Sequence, residues 1–429
     1  MNRPPDLQPD SKPARQREGT KQVNELLRPA AHWELQSMID KIAVHRLPIE
    51  VIGHGSLRGM GRPPQKGAVI STASLRGVTL YQPSELVMSA RAGTPLLEIE
   101  AELAANGQML AFEPMDLGPA TGGPAGAQTI GGVFATNLSG SRRISAGAAR
   151  DQLLGAVAVN GRGELFKSGG RVMKNVTGYD VARGLTGSWG TLAVMTEVTF
   201  KVMPLPESVV TLLYPGLPDD LAVELLTAAM GSPFDVSGAA HLPKLAAARL
   251  SHPRLKAMGE AFTAIRLENF VASVSERKGK LKEALKVYGN PFEFGPDESY
   301  GFWTDLRHLN IMPHSTDTSL WRISTTPTKA PEIVAAIEKF MPVTAFYDWS
   351  GGLVWMEVPA AADAGSSDVR RAVAVRGGHA TLVRAAADVR QTVDIFEPMR
   401  PEIDRLTRGL KSAFDPLHLL NPGRMYAHI

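Results

Sequence analysis

Between residues 121 and 196 the chain crowds glycine into a run that no helix bundle could carry. It opens TGGPAGAQTIGGVFATNLSGSRR and closes TGYDVARGLTGSWGTLAVMT. Short apolar segments at 153–159 and 192–194 interrupt it and read as strands. Glycine lets a loop bend at little steric cost and lets main-chain N–H groups approach another surface with no Cβ in the way. Such a stretch predicts loops that come very close to something, and a large polar ligand held by backbone is the expected occupant.

The bulk properties narrow the ligand by exclusion. At 429 residues the chain exceeds the usual size of one core, so two domains are expected. With 46 basic against 43 acidic residues it carries no excess charge that would announce nucleic acid. The pairs Arg142-Arg143 and Arg370-Arg371 read as solvated faces or local anion contacts. No cysteine is present. That excludes disulfides, cysteine-ligated zinc and a cysteinyl flavin, and it assigns any iron–sulfur cluster to another chain. No stretch approaches the roughly 20 apolar residues that span a bilayer, and no secretory signal is visible. A cytoplasmic protein is expected, peripheral to a membrane only through partners.

In chain order, residues 1–21 are proline-rich and polar, and a loose tail is expected. A helix is expected over 33–44. A short buried strand at 48–52 then runs into Gly53-His54-Gly55-Ser56-Leu-Arg-Gly59. The spacing is GxGxxxG rather than GxGxxG, and Arg62-Pro63-Pro64 blocks the helix that a dinucleotide fold would place next. Two readings remain for this cluster: an ordinary glycine turn, or a nest of N–H groups for phosphate, with Ser56 adding a hydroxyl.

Further strands are expected at 68–71 and 85–90 with a turn at Tyr81-Gln82-Pro83. A helix follows, with Thr94 as N-cap, Pro95 at its first position and Gly107 closing it. Thr129-Ile130-Gly131-Gly132 precedes an apolar segment ending Ser139-Gly140. There Thr136, Asn137 and Ser139 could hydrogen-bond a ligand, and both Gly131 and Gly132 are expected to leave room for it. Asn160-Gly161-Arg162-Gly163 is a hairpin turn whose glycines read as turn residues only. Gly190 leads into a strand whose backbone at Val194 could meet a ring edge. Past residue 207 glycine thins out. Helices are expected at 217–230, 276–287 and 402–414, and strands at 319–325, 344–348 and 353–358, with a turn at 349–352.

Taken in order, the GxGS loop, RAGTPLLEIEAELAANGQML, TIGG, NGRGE, KNVTGYD and GSWGTL resemble the FAD-binding domain of the vanillyl-alcohol oxidase and p-cresol methylhydroxylase (PCMH) superfamily. Further on, LWRIS, DWSGG, RGGHAT, FDP and NPGRMY are similar to the FAD-binding subunits of bacterial glycolate oxidase. The resemblance implies an α+β fold, with a two-subdomain PCMH-type FAD-binding domain at 22–206 and a smaller α/β cap-like domain at 207–398. A helix and tail at 399–429 would return to the flavin domain.

It implies oxidation of glycolate to glyoxylate at FAD. Electrons would pass on through a larger paralogous flavoprotein and an iron–sulfur subunit. A scaffold that binds FAD without turnover, or a stand-alone oxidoreductase for another 2-hydroxy acid or a sugar lactone, are the alternatives. The position matching the histidine that some relatives link covalently to flavin falls nearer Ser56 than His54, so non-covalent FAD is expected. The metal-associated HxGDGNxH segment of the larger paralogue is missing, and no metal is expected.

Oxidising a 2-hydroxy acid further needs a cation for its carboxylate and a base for its hydroxyl proton. Arg322 could supply the first and His379 the second, or they could be a strand ion pair and a turn donor. Lys174, with Asn175, Tyr179 and Asp180, could steady negative charge on a reduced flavin. Equally, Lys174 and Asp180 could pair across a turn.

Overall fold

The computed structural model describes residues 26–65, 67–171 and 178–429. The tail expected at 1–21, with Lys174 and Asn175, lies outside them.

Three sheets build the first half. Ile49–Ile52 and Leu26–Leu27 flank Ala68–Ser71 in a small parallel sheet. A five-stranded antiparallel sheet runs in the order Val78–Gln82, Val87–Arg91, Ala193–Lys201, Leu153–Asn160, Leu165–Gly169. A two-stranded ladder joins Gln108–Met109 to Met203–Pro204. The helix Leu96–Ala105 turns Leu96, Ile99 and Leu103 into the core beside the five-stranded sheet.

Its start differs from expectation. Pro95 occupies the cap position, and the Thr94 hydroxyl donates to Arg91 O (2.7 Å) and accepts from Gly77 N (2.9 Å). Thr94 thus ties two loops together instead of capping. Tyr81 and Gln82 lie inside a strand, so the turn falls two residues later at Pro83–Glu85.

The second half is one eight-stranded sheet, antiparallel throughout. Its order is Phe292–Phe294, Ser208–Pro215, Phe262–Asn269, Val236–Leu242, Thr344–Asp348, Leu353–Pro359, Thr318–Ser324, His379–Arg384. Because side chains alternate along a strand, Thr318–Ser324 sends Trp321 and Ile323 to one face and Leu320 and Arg322 to the other. The first face is covered by helices Ala330–Glu338 and Ser366–Arg376. The second packs through Leu320, Phe346 and Trp355 against Met60, Met115, Leu117 and Leu138 of the first half. Trp321 and Trp355 are fully buried on opposite faces, and burying a large side chain of this kind contributes roughly 2–3 kcal/mol.

The C-terminal helix Pro401–Phe414 leads into a tail that packs beside the first strand, with Ile49 N donating to Leu419 O (2.7 Å) and Asn421 N to Ile49 O (2.8 Å).

Candidate functional site

A cleft opens in the first half between the loop after Ile49–Ile52 and the helix Ile130–Thr136. Gly53, His54, Gly55, Ser56, Thr129, Gly132 and Thr136 line it, joined by Gln128, Trp189, Asn421 and Arg424. It continues past Gly131 and Gly190 to Val194. The main-chain N–H groups of His54, Gly55, Ser56 and Leu57 find no acceptor among the described residues. Gly55 sits at φ +82°, a conformation that glycine takes without strain. Four successive N–H groups without an acceptor on a glycine turn are the arrangement that a nest for an anion needs.

The TIGG segment plays a different part. It forms the first turn of a helix, and its donors are used within the protein: Ile130 N to Thr94 O (3.0 Å), Gly131 N to Ala92 O (2.9 Å), Gly132 N to Thr129 Oγ1 (3.2 Å). A Cβ on Gly131 would lie 2.7 Å from both Cβ and O of Ala92, so its missing side chain makes room for the turn that follows the strand Val87–Arg91. A Cβ on Gly132 would meet only Thr129 Oγ1 at 3.3 Å and otherwise face the cleft. Both glycines lie along the cleft or its continuation, but a side chain at Gly131 would first meet Ala92, whereas one at Gly132 would face the open space. Like Gly131, Gly59 and Gly123 press on backbone, that of Thr121 and Ser56. Much of the glycine in this region serves loop-on-loop packing.

Other expected residues fall outside the cleft lining. Ile130 is core. Asn137 Oδ1 accepts from Arg150 N (3.0 Å), and buried Ser139 Oγ accepts from Ala149 N (3.0 Å). Gly140 closes on Glu113 and carries the chain toward the second half. Tyr179 is 94% exposed, and Asp180 caps the short helix Val181–Leu185.

Several lining residues escaped the sequence reading. Asn421 bridges 370 positions to accept from Val51 N (2.9 Å), and its amide donates to Trp189 O (2.7 Å). Arg424 donates to Arg62 O (2.8 Å) and Leu57 O (3.1 Å), fixing the far side of the glycine loop. Burial lowers its pKa to about 10. The NPGR run was visible in sequence, but nothing local says where it returns. Glu50 also lines the cleft, where its charge would repel a phosphate, and Arg58 neutralises it through a bidentate pair.

A bound FAD suits this cleft on two observations: the free donors at 54–57, and Gln128, which is 1% exposed yet has neither amide atom partnered.

A second group gathers where the sheet meets the first half. The ladder pairs Arg322 with Thr381 and Ser324 with His379, so Arg322 and His379 share the face turned to the first half. Arg322 Nε is enclosed with no acceptor. Burial, then the nearby Arg143, pushes its pKa down to about 10. His379 keeps an exposed edge, and its pKa is lowered by burial and by Arg322. Asp348, whose pKa burial raises to about 7, accepts from Ser141 Oγ (2.8 Å) and Trp349 N (2.7 Å). Among the described residues no group of three or more histidines or carboxylates could hold a metal, and no helix is long and apolar enough to cross a membrane.

The fold and cleft define an FAD-dependent oxidoreductase with a PCMH-type flavin-binding part. The family model for an FAD binding domain matches residues 24–169. p-Cresol methylhydroxylase with substrate bound agrees in fold at TM-score 0.71 and 14% identity, over 94% of this chain and 88% of that one. The 4-ethylphenol oxidase of Gulosibacter chungangensis agrees at TM-score 0.70 and 14% identity, over 94% and 89%. Glycolate oxidase subunit GlcE of Escherichia coli K12 is 31% identical over 92% of this chain and 97% of its own length. Glycolate oxidase subunit GlcD of Bacillus subtilis is 25% identical over 92% and 87%. The chain belongs to the family of glycolate oxidase subunits.

Proposed function

We propose that this chain is the FAD-bearing subunit of a multi-subunit glycolate dehydrogenase that converts glycolate to glyoxylate. The observation that carries the reading is the pairing of a donor-lined cleft with an unpartnered arginine and a neutral-leaning histidine on the facing sheet. The loop at 53–57 and Gln128 hold the diphosphate and neighbouring polar groups without a covalent link. Gly132, Gly190 and Val194 leave the cleft open along its length.

When bound, FAD supplies the two-electron acceptor for the hydride leaving the α-carbon. Arg322 holds the substrate carboxylate, and an unprotonated ring nitrogen of His379 takes the hydroxyl proton. The half-exposed histidine then returns that proton to water. Electrons leave through a larger paralogous flavoprotein and an iron–sulfur subunit, since a chain with no cysteine cannot ligate such a cluster through thiolates.

Anaerobic mixing with glycolate, alone and with the two partner subunits, tests the reading through bleaching of the oxidised flavin band. Bleaching in at least one of the two mixtures is expected. A folded, FAD-loaded chain that glycolate bleaches in neither is a scaffold, and a folded chain that binds no FAD overturns the reading at its root.

A further inference from the structure

Two half-buried arginines at the junction stand apart from the other arginines buried or half-buried among the described residues. Arg142, Arg266 and Arg384 each meet a glutamate, while Arg390 and Arg424 donate to main-chain carbonyls. The guanidinium groups of Arg143 and Arg322 make no hydrogen bond or ion pair with any described residue. Both instead lie against one indole: their Cζ atoms are 4.3 and 5.1 Å from the centroid of Trp349. Arg322 is also 5.9 Å from the ring of Trp355.

Trp349 is held hard in place. Its Nε1 donates to Gly140 O (3.0 Å), and its N–H donates to Asp348 Oδ1 (2.7 Å). It opens a run of three positive φ values, +53° at Trp349, +60° at Ser350 and +93° at Gly351, of which the first two strain residues that carry a side chain. The turn that presents the indole is therefore fixed against its own backbone preference, by bonds that cross to the first half.

The polar groups around it are left incomplete. Arg322 Nε, Trp355 Nε1 and Ser350 Oγ are all enclosed without a partner. Asp348, whose charge bears on Arg322, spends an oxygen each on Ser141 and Trp349 N, and burial favours its neutral form; Asp151 bears on Arg143 without pairing to it. Enclosed donors without acceptors are costly, and two like charges near one ring add repulsion. An anion held by both guanidinium groups would remove both penalties.

We infer that Arg143 and Arg322 form one carboxylate-binding subsite across Trp349, assembled from both halves of the molecule, whose ligand is a small 2-hydroxy or 2-oxo acid. The subsite shares Arg322 with the reading above and adds Arg143 as its second cation. Arg143 comes from the short helix Arg143–Ala146 that follows Gly140, and Arg322 comes from the facing sheet. Binding therefore stiffens the junction as well as the ligand. Guanidinium geometry matters here, because lysine can neither lie flat on indole nor bind a carboxylate with two parallel donors.

Oxalate is a suitable probe, since it carries carboxylates but no α C–H bond to oxidise. With the FAD-loaded full chain, titration calorimetry and thermal melting should show oxalate binding and a rise in Tm. Arg143→Met and Arg322→Met should each weaken oxalate about tenfold or more while the flavin absorbance per chain stays unchanged. Arg143→Lys and Arg322→Lys, which keep the charge and guard against a folding defect, should lose most of that affinity too. The inference is overturned if oxalate fails to bind the wild type, if either lysine variant binds it normally, or if folded variants lose FAD in place of oxalate, which would assign the arginines to the cofactor. Oxalate binding that survives alongside a flavin that glycolate never bleaches would remove the proposed reaction and leave the subsite standing.

Discussion

Arg266 of the eight-stranded sheet donates Nη1 to Glu113 Oε1 of the first half at 2.8 Å, and Nη2 to the other oxygen at 3.0 Å. Arg142, one residue before the proposed anion subsite, completes a square. Its N–H donates to Glu113 Oε2 (2.6 Å) and its guanidinium grips Glu268 (2.8 and 3.0 Å). Two glutamates and two arginines, all little exposed, clamp the halves together beside the chemistry.

Removing one member of this square should loosen the junction. Glu113→Gln leaves two enclosed guanidiniums short of charge, and a loss of about 3–5 kcal/mol is expected. A lower urea midpoint would register it. Burial alone would raise the carboxyl pKa, but Arg142 and Arg266 outweigh burial and hold it well below the usual range. A depressed carboxylate contributes stability that is complete above its unfolded pKa near 4.3 and drains away as pH falls below it. Wild type should therefore destabilise steeply below about pH 4.5, and the Gln variant less steeply. Parallel acid limbs in the two proteins would contradict the clamp.

Gly131 and Gly132 should part company. Valine at 131 collides with Ala92, so the expected outcome is poor folding, with a Tm well below wild type. Valine at 132 points into the cleft, so the chain should fold near normally while FAD affinity drops about tenfold or more. Flavin absorbance per folded chain, with circular dichroism as the control, separates the two. Equal FAD loss in two equally folded variants would disprove the assignment.

Lys411 is wholly buried and donates Nζ to Thr191 O (2.7 Å), Leu420 O (2.8 Å) and Asp415 Oδ2 (2.7 Å). Asp415 in turn accepts from Leu419 N and Leu420 N. The pair sets the path that brings Asn421 and Arg424 to the cleft. Lys411→Met should cost about 3–5 kcal/mol, because Asp415 stays buried without its partner, and should weaken FAD through Asn421. Gly161→Ala is no neutral hairpin change either, since a Cβ there runs into Asp415. It should lower Tm through the same pair.

How far the sequence foretold this molecule depends on how local each signal is. The hairpin at Asn160 appears as expected, with Asn160 Oδ1 accepting from Arg162 N and Glu164 N. The amphipathic C-terminal helix also falls within a residue of its expected start. Strands Val236–Leu242 and Phe262–Asn269 escaped because they lie mid-sheet with both faces covered, and period-two alternation is lost there. The glycine run signalled close approach but could not say to what, since Ala92 and a cofactor leave the same mark on a glycine. Arg143 read as half of a pair for a solvated face or a local anion contact, and only the fold brings it to the same indole as Arg322.

His379 offers the last test, because its partner in the prediction is Arg322. Burial and the two arginines lower the histidine pKa below its ordinary value, so the base form survives to lower pH than a free imidazole would. If His379 takes the substrate proton, kcat/KM should fall on the acid side with an apparent pKa below about 6.5. Removing a cation lets the imidazolium form more readily. Arg322→Met should thus move that limb upward while raising KM through the lost carboxylate contact. His379→Gln should lower kcat by about 100-fold or more and abolish the limb altogether. An acid limb that stays put in Arg322→Met and survives in His379→Gln would move the proton transfer to another group, with Asp348, its pKa raised by burial beside the same indole, next in line.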